Sequence, residues 1–200
     1  MKSDSIRIAN CSGFYGDKLS VARDMIEGGP IDVLTGDYLA ELTMTILYNQ
    51  RLKRGEQHGY VGTFLKQFRD IAKLAQEKNI KIVTNAGGLN PSSMAESVKE
   101  IIDELNLDLK VAHIEGDDLM PRIDELYQGG EKLTNIDKSL DLQNYKKKPI
   151  TANAYLGAWG IKEALDNGAD VVICPRVTDA AVVIGPAAWK FNWSRDQYDE

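Results

Sequence analysis

A chain of 200 residues with 43% apolar and 27% charged side chains has the makeup of a globular protein. It is long enough to bury a core without disulfide staples, so disorder, a collagen-like fibre and a cysteine scaffold are excluded. The net charge of −6 argues against a nucleic-acid partner, which needs a basic face, but leaves anionic small ligands open. The longest apolar run, near 180–189, is broken by Gly185-Pro186. It falls short of the roughly 20 residues that span a bilayer, so no membrane partner is expected. Met1-Lys2-Ser3-Asp4 opens without an apolar signal core, and a cytoplasmic protein is expected. Cys11 and Cys174 form no C-x-x-C pair and read as reduced, partly buried thiols.

In chain order, β-branched runs predict strands at 6–9, 31–34, 81–84, 110–114, 150–153 and 170–174. They are continuous apolar runs, as in strands covered on both faces. Helical spacing fills the gaps at 17–27, 39–54, 61–78, 91–105, 155–167 and 178–193. The first of these stops at Gly28-Gly29-Pro30, and the third repeats Phe64, Phe68, Ile71 and Ala75 on one face. Strand–helix alternation predicts an α/β fold: a parallel sheet with helices on both faces, three-layered and doubly wound. The alternative is a (β/α) barrel cut short, disfavoured because a barrel typically needs about 250 residues. The chain 1–200 reads as a single α/β domain. One stretch breaks the rhythm: 128–149 is polar and carries Lys146-Lys147-Lys148 before Pro149. It reads as a solvated excursion or as a lid over the strand ends.

Ligands of parallel α/β proteins bind at the carboxyl ends of the strands. Each predicted strand here ends in small, polar or charged residues. Turns favour Gly, Asn and Asp in any case, but that preference does not account for paired acids, an arginine and a tyrosine on one rim. Asn85, Gly87, Gly88, Asn90, Pro91 and Ser92 compose a strand end, a close-approach turn and a capped helix start, open to an anion. Asp37 and Glu41 fall one helical turn apart, and Asp117-Asp118 follow another strand. Acids so placed suit general acid–base work or Mg²⁺, while helix N-termini attract acids regardless. Arg176 is a candidate clamp for a carboxylate or phosphate, with Thr178 as a cap and Asp179 beside it. Asn153 and Tyr155 join the ligand-binding candidates; Asp37, Asp117 and Asp179 are the catalytic ones.

Other signals are weaker. There is no G-x-G-x-x-G, no P-loop and no G-x-S-x-G. His58 falls in a polar linker, and His113, inside an apolar strand, reads as a core residue. Neither has metal-ligand spacing to another His or Cys. Cys11 lies at a strand end near a helix start, a place where a thiol pKa can fall. The cofactor and the metal requirement both stay open.

Several long motifs, in order, resemble the acyclic terpene utilisation protein A (AtuA) family. They are Thr35-Gly36-Asp37-Tyr38-Leu39-Ala40-Glu41, Thr84-Asn85-Ala86-Gly87-Gly88-Leu89-Asn90-Pro91, Gly116-Asp117-Asp118, Ala152-Asn153-Ala154-Tyr155-Leu156-Gly157 and Arg176-Val177-Thr178-Asp179. The resemblance runs from about Ile6 to the end and covers what looks like the family's N-terminal portion. Pro175 departs from the small residue expected before Arg176. The resemblance implies bacterial breakdown of acyclic terpenoids or branched acyl-CoA, with no assigned reaction and no catalytic residues to transfer. It implies an enzyme or enzyme subunit binding an anionic small molecule such as an acyl-CoA. The alternative is a non-catalytic partner of a carboxylase or hydratase, and an assembly of like chains is also open.

Overall fold

Five short runs pair side by side into one parallel sheet. They are β1 (Ile8–Asn10), β2 (Val33–Gly36), β3 (Lys81–Thr84), β4 (Val111–His113) and β5 (Val171–Ile173), in the order β1-β2-β3-β5-β4. The structure is a computed structural model and describes residues 5–197. Every neighbouring pair is parallel, and β1 and β4 are left as edges, so the sheet is open and the barrel alternative falls away.

Successive strand residues point to opposite faces, and both faces are apolar. Leu34, Ile82, Val171 and Ile173 pack under α1 (Val21–Gly28), α3 (Gly62–Glu77) and α4 (Pro91–Glu104). Val33, Val83 and Val172 pack under α6 (Trp159–Asp166) and α7 (Ala181–Phe191). Two further helices, α2 (Glu41–Arg54) and α5 (Ile123–Gln128), follow β2 and β4. The chain winds one way from β1 to β4, then turns back to place β5 between β3 and β4. Right-handed crossovers therefore put α6 on the face opposite α4. This is the three-layer, doubly wound arrangement predicted. Its winding reverses between β3 and β5, and their carboxyl ends frame the crevice where such sheets bind ligands. Among the described residues, no helix is long and apolar enough to cross a membrane.

The fifth of the six predicted strands, 150–153, does not form. Ile150 is exposed, and Asn153 makes only an isolated antiparallel bridge to Asp118. A strand in a parallel sheet needs cover on both faces, and this run lies outside the sheet. It instead ties the β4–α6 stretch back to the rim, Leu119 N–H donating to the Ala152 carbonyl at 2.7 Å. Within that stretch, α5 forms just before the polar segment. The predicted helix at 17–27 begins late because Asp17 accepts from the Gly13 N–H at 2.6 Å, folding 13–17 into a turn. His113 is corrected from core to surface: β4 is an edge, and the ring lies 3.4 Å from Glu115.

At the far end of the sheet, Arg7 donates to Asp32 through its backbone N–H (2.8 Å), Nε (3.1 Å) and Nη2 (2.7 Å). The guanidinium holds the Asp32 carboxyl down to about 2. A carboxyl depressed on folding stabilises above its unfolded pKa near 4, and that contribution is lost as pH falls toward the folded value. Asp32→Asn is expected to flatten urea stability between about pH 4 and about pH 2, at a cost near neutrality below about 1 kcal/mol because solvent screens the pair.

Candidate functional site

The site is built from the chain exits of β2, β3, β4 and β5. Asn85, fully buried as the chain leaves β3, holds the β2 exit with both ends of its amide. Its Nδ2 donates to Asp37 at 2.5 Å, and its Oδ1 accepts from the Tyr38 N–H at 2.7 Å. Arg176, leaving β5, is only 5% exposed. Its Nη1 donates to the Leu39 carbonyl at 2.6 Å and its Nη2 to the Tyr155 hydroxyl at 2.8 Å. The guanidinium also lies 4.1 Å from the centre of the Tyr155 ring. The Tyr155 hydroxyl donates onward to Glu41. Asp117, leaving β4, accepts from Asn153 Nδ2 at 2.8 Å and from the Arg176 backbone N–H at 3.2 Å.

Five predicted residues, Asn85, Asp117, Asn153, Tyr155 and Arg176, thus lie in one rim of hydrogen bonds, and Asp37 joins it through Asn85. Asp179 and Glu41 face the guanidinium at 3.7 Å each, ion pairs too long for hydrogen bonds. Thr178 is exposed, its N–H donating to the Leu156 carbonyl at 2.9 Å. That contact and the Leu156 N–H to Arg176 carbonyl bond hold Tyr155 and Leu156 out of the helix predicted at 155–167, so α6 begins at Trp159.

The α4 start is placed apart from this network. Asn90 Oδ1 accepts from the Ser93 N–H at 3.1 Å, its Nδ2 donates to the Glu56 carbonyl at 2.8 Å, and Pro91 opens the helix. The Gly87 N–H donates to the Cys174 carbonyl and the Gly88 N–H to the Asn85 carbonyl, so both amides already have partners. Ser92, on the first turn, is half-buried, and no hydrogen bond joins it or Asn90 to Arg176. Gly88 takes φ +54°, a left-handed turn that suits glycine.

Burial raises the Asp37 carboxyl, against the opposing Asn85 hydrogen bond; the Asp179 charge raises it further. Burial likewise raises Asp117, against its bonds from Asn153 and Arg176. The Tyr155 hydroxyl, in contrast, holds Glu41 low. Carboxyls raised by burial in a polar crevice are suited to proton transfer. A carboxyl raised on folding favours the native state below its unfolded pKa near 4, and that advantage is lost as pH climbs through the raised value. Asp117→Asn keeps an acceptor oxygen and removes the buried charge. It is expected to flatten stability above about pH 4 and to gain up to about 1 kcal/mol near neutrality; urea titrations at several pH values check this.

Neither thiol is poised for chemistry. Cys11 is 2% exposed, and burial pushes its pKa up to about 11; burial raises buried Cys174 as well. The lowered thiol pKa considered for Cys11 is therefore corrected: burial outweighs the nearby helix. Ellman's reagent near pH 8 is expected to label the folded chain at least about tenfold more slowly than the urea-unfolded chain, which should release both thiols.

Two features escaped the sequence reading. Gln67 is buried and accepts from the Tyr38 hydroxyl at 2.6 Å, fixing the residue that follows Asp37. A polar residue inside the stripe Phe64, Gln67, Phe68, Ile71 was the available signal. The other is a cavity of about 350 Å³ beside the rim, with Tyr48, Arg51, Glu56, Leu89 and Asp118 in its wall. Its walls come from segments far apart in sequence. Among the described residues, no three His, Cys, Asp or Glu side chains gather as a metal cluster.

The model of the acyclic terpene utilisation family protein AtuA matches residues 6–200, and the chain belongs to this family. No curated protein and no solved structure matches it.

Proposed function

We propose that the rim around Arg176 binds an anionic metabolite of acyclic terpene breakdown, of the branched carboxylate or acyl-CoA class, and acts on it as an enzyme or enzyme subunit. Family membership supports a role in acyclic terpene utilisation. One observation carries the site: a buried guanidinium, at the point where the sheet reverses its winding, whose donors are only partly used. Its bonds go to a carbonyl and a hydroxyl, and its two acidic neighbours stand off at 3.7 Å. An arginine fork has more N–H donors than these bonds use, and a carboxylate or phosphate fits the remainder. Asp37 and Asp117, raised by burial, are suited to take or give a proton beside the bound group. Two buried, unpaired thiols suit a reducing compartment, and the reading places the protein in the cytoplasm.

A thermal-shift panel tests this with free CoA, branched acyl-CoAs, the matching free acids, NAD and ATP. A ligand at about 100 times its Kd stabilises by about 2.7 kcal/mol, a shift of roughly 5–10 °C for a chain of this length. A shift with the branched acids or their CoA esters, absent with NAD and ATP, is expected. A cooperative melt unmoved by the whole panel would overturn the reading and favour a non-catalytic partner of a carboxylase or hydratase.

A further inference from the structure

The β4–α6 stretch carries a second cavity, separate from the hydrogen-bonded rim. It holds about 490 Å³, within the range of small-molecule sites. Its walls combine apolar Ile123, Leu142 and Tyr145 with the consecutive Lys146, Lys147 and Lys148. Asp124 is the one acid in its lining. The chain as a whole carries a net charge of −6. Yet among the described residues none of these three lysines forms an ion pair.

A second observation points to a missing partner. Tyr127 lines the same cavity, and its hydroxyl is the one buried side-chain polar atom without a hydrogen-bond partner among the described residues. Native proteins rarely leave such a group unsatisfied. A solvated charge run would account for the lysines alone. It would not account for an apolar wall in the same cavity, or for an orphaned hydroxyl on a residue that lines it.

We propose that this cavity binds an amphipathic anion: a carboxylate or phosphate head on the three lysines, met by the Tyr127 hydroxyl, with an aliphatic chain along Ile123, Leu142 and Tyr145. Met120 is a wall of both this cavity and the smaller one beside Asp118, so apolar surface continues from the lysines toward the strand ends. The site does not depend on the reading given for the Arg176 rim.

Titration calorimetry below the micellar range, with octyl phosphate, octanoate and octanol as probes, tests it. The two anions separate a phosphate head from a carboxylate head, and at least one is expected to bind about tenfold or more tightly than octanol. The triple variant Lys146→Gln, Lys147→Gln, Lys148→Gln should weaken the anion about tenfold or more, and Tyr127→Phe a few-fold. Raising salt from about 0.05 M to about 0.5 M should weaken the anion and spare octanol. In the unsubstituted protein, the tighter-binding of the two anions should also protect the three lysines from acetic anhydride, read by mass spectrometry, which serves if the triple variant does not fold. Octanol binding as tightly as the anions, unchanged affinity in a folded triple variant, or no protection would each overturn the proposal. Loss of binding in Arg176→Lys alone would place the probe at the strand ends and overturn it too.

Discussion

Arg176→Ala is expected to lower the free energy of unfolding by about 3 kcal/mol and Tm by roughly 6–12 °C. The guanidinium is 5% exposed and joins three chain exits: its own, the Leu39 carbonyl after β2, and Tyr155 before α6. Each bond from a charged donor contributes on the order of 1.5–3 kcal/mol, and the Tyr155 stack adds about 0.5–2. Against this stands the desolvation of the cation, which alanine relieves. The residual is below the largest losses known for broken buried pairs, because the acids left behind, Glu41 and Asp179, are mostly in water. Arg176→Lys separates scaffold from clamp. It keeps the charge and loses the planar fork, so about half the stability loss should remain while binding of a carboxylate or phosphate falls about tenfold or more. Urea unfolding and the ligand panel read the two effects. A loss below about 1 kcal/mol for alanine would show that these bonds do not hold the rim. Full ligand affinity in the lysine variant would remove Arg176 from the anion contact.

The sequence carried the alternation of the fold because continuous apolar runs and 3.6-residue spacing are local patterns. Strands β3 and β5 and helices α3 and α4 fall where those patterns lie, within a residue or two. The misread segment, 150–153, had the β-branched makeup of a strand but not the burial, and burial is decided by what packs on it. Tyr155 and Leu156 were read as helix from their neighbours; a bridge to Val177, distant in the chain, claims them. The place of β5 between β3 and β4 is equally invisible from one sequence, since any order of such apolar strands buries them alike. Candidate polar residues were legible because chain exits in parallel sheets concentrate them. Which of them touch was not. The pairing of Asn85 with Asp37 spans 48 residues, and that of the Arg176 backbone with Asp117 spans 59. The crevice that brings these exits together follows from the reversal of winding, and only the finished sheet displays it.

Gly87→Ala is expected to cost about 2–4 kcal/mol, more than the same change at Gly88, although only Gly88 has a positive φ. A Cβ at Gly87 would stand 2.6 Å from the Cys174 carbonyl and 2.9 Å from the Pro91 Cα, both backbone atoms fixed by β5 and the start of α4. The Gly87 N–H donates to that same carbonyl at 3.1 Å, so relief by moving apart also stretches a hydrogen bond across the β3–β5 crevice. At Gly88 the nearest atom, 2.3 Å away, is the end of the buried Leu47 side chain, and the Gly59 carbonyl follows at 2.8 Å. An alanine in the left-handed region adds only about 1–2 kcal/mol. The ranking therefore weighs two backbone atoms held by β5 and α4 against one loop carbonyl, a side-chain end and a modest dihedral cost. Gly87→Ala has a second consequence, because the Cys174 carbonyl lies two residues before Arg176. Prising β3 from β5 shifts the guanidinium relative to Asn85, so ligand shifts should shrink in this variant beyond what its lower Tm explains. Denaturant unfolding of both variants gives the ranking; an equal or larger loss at Gly88 would show that backbone conformation, not the closeness of the two strand exits, is what requires the glycine pair.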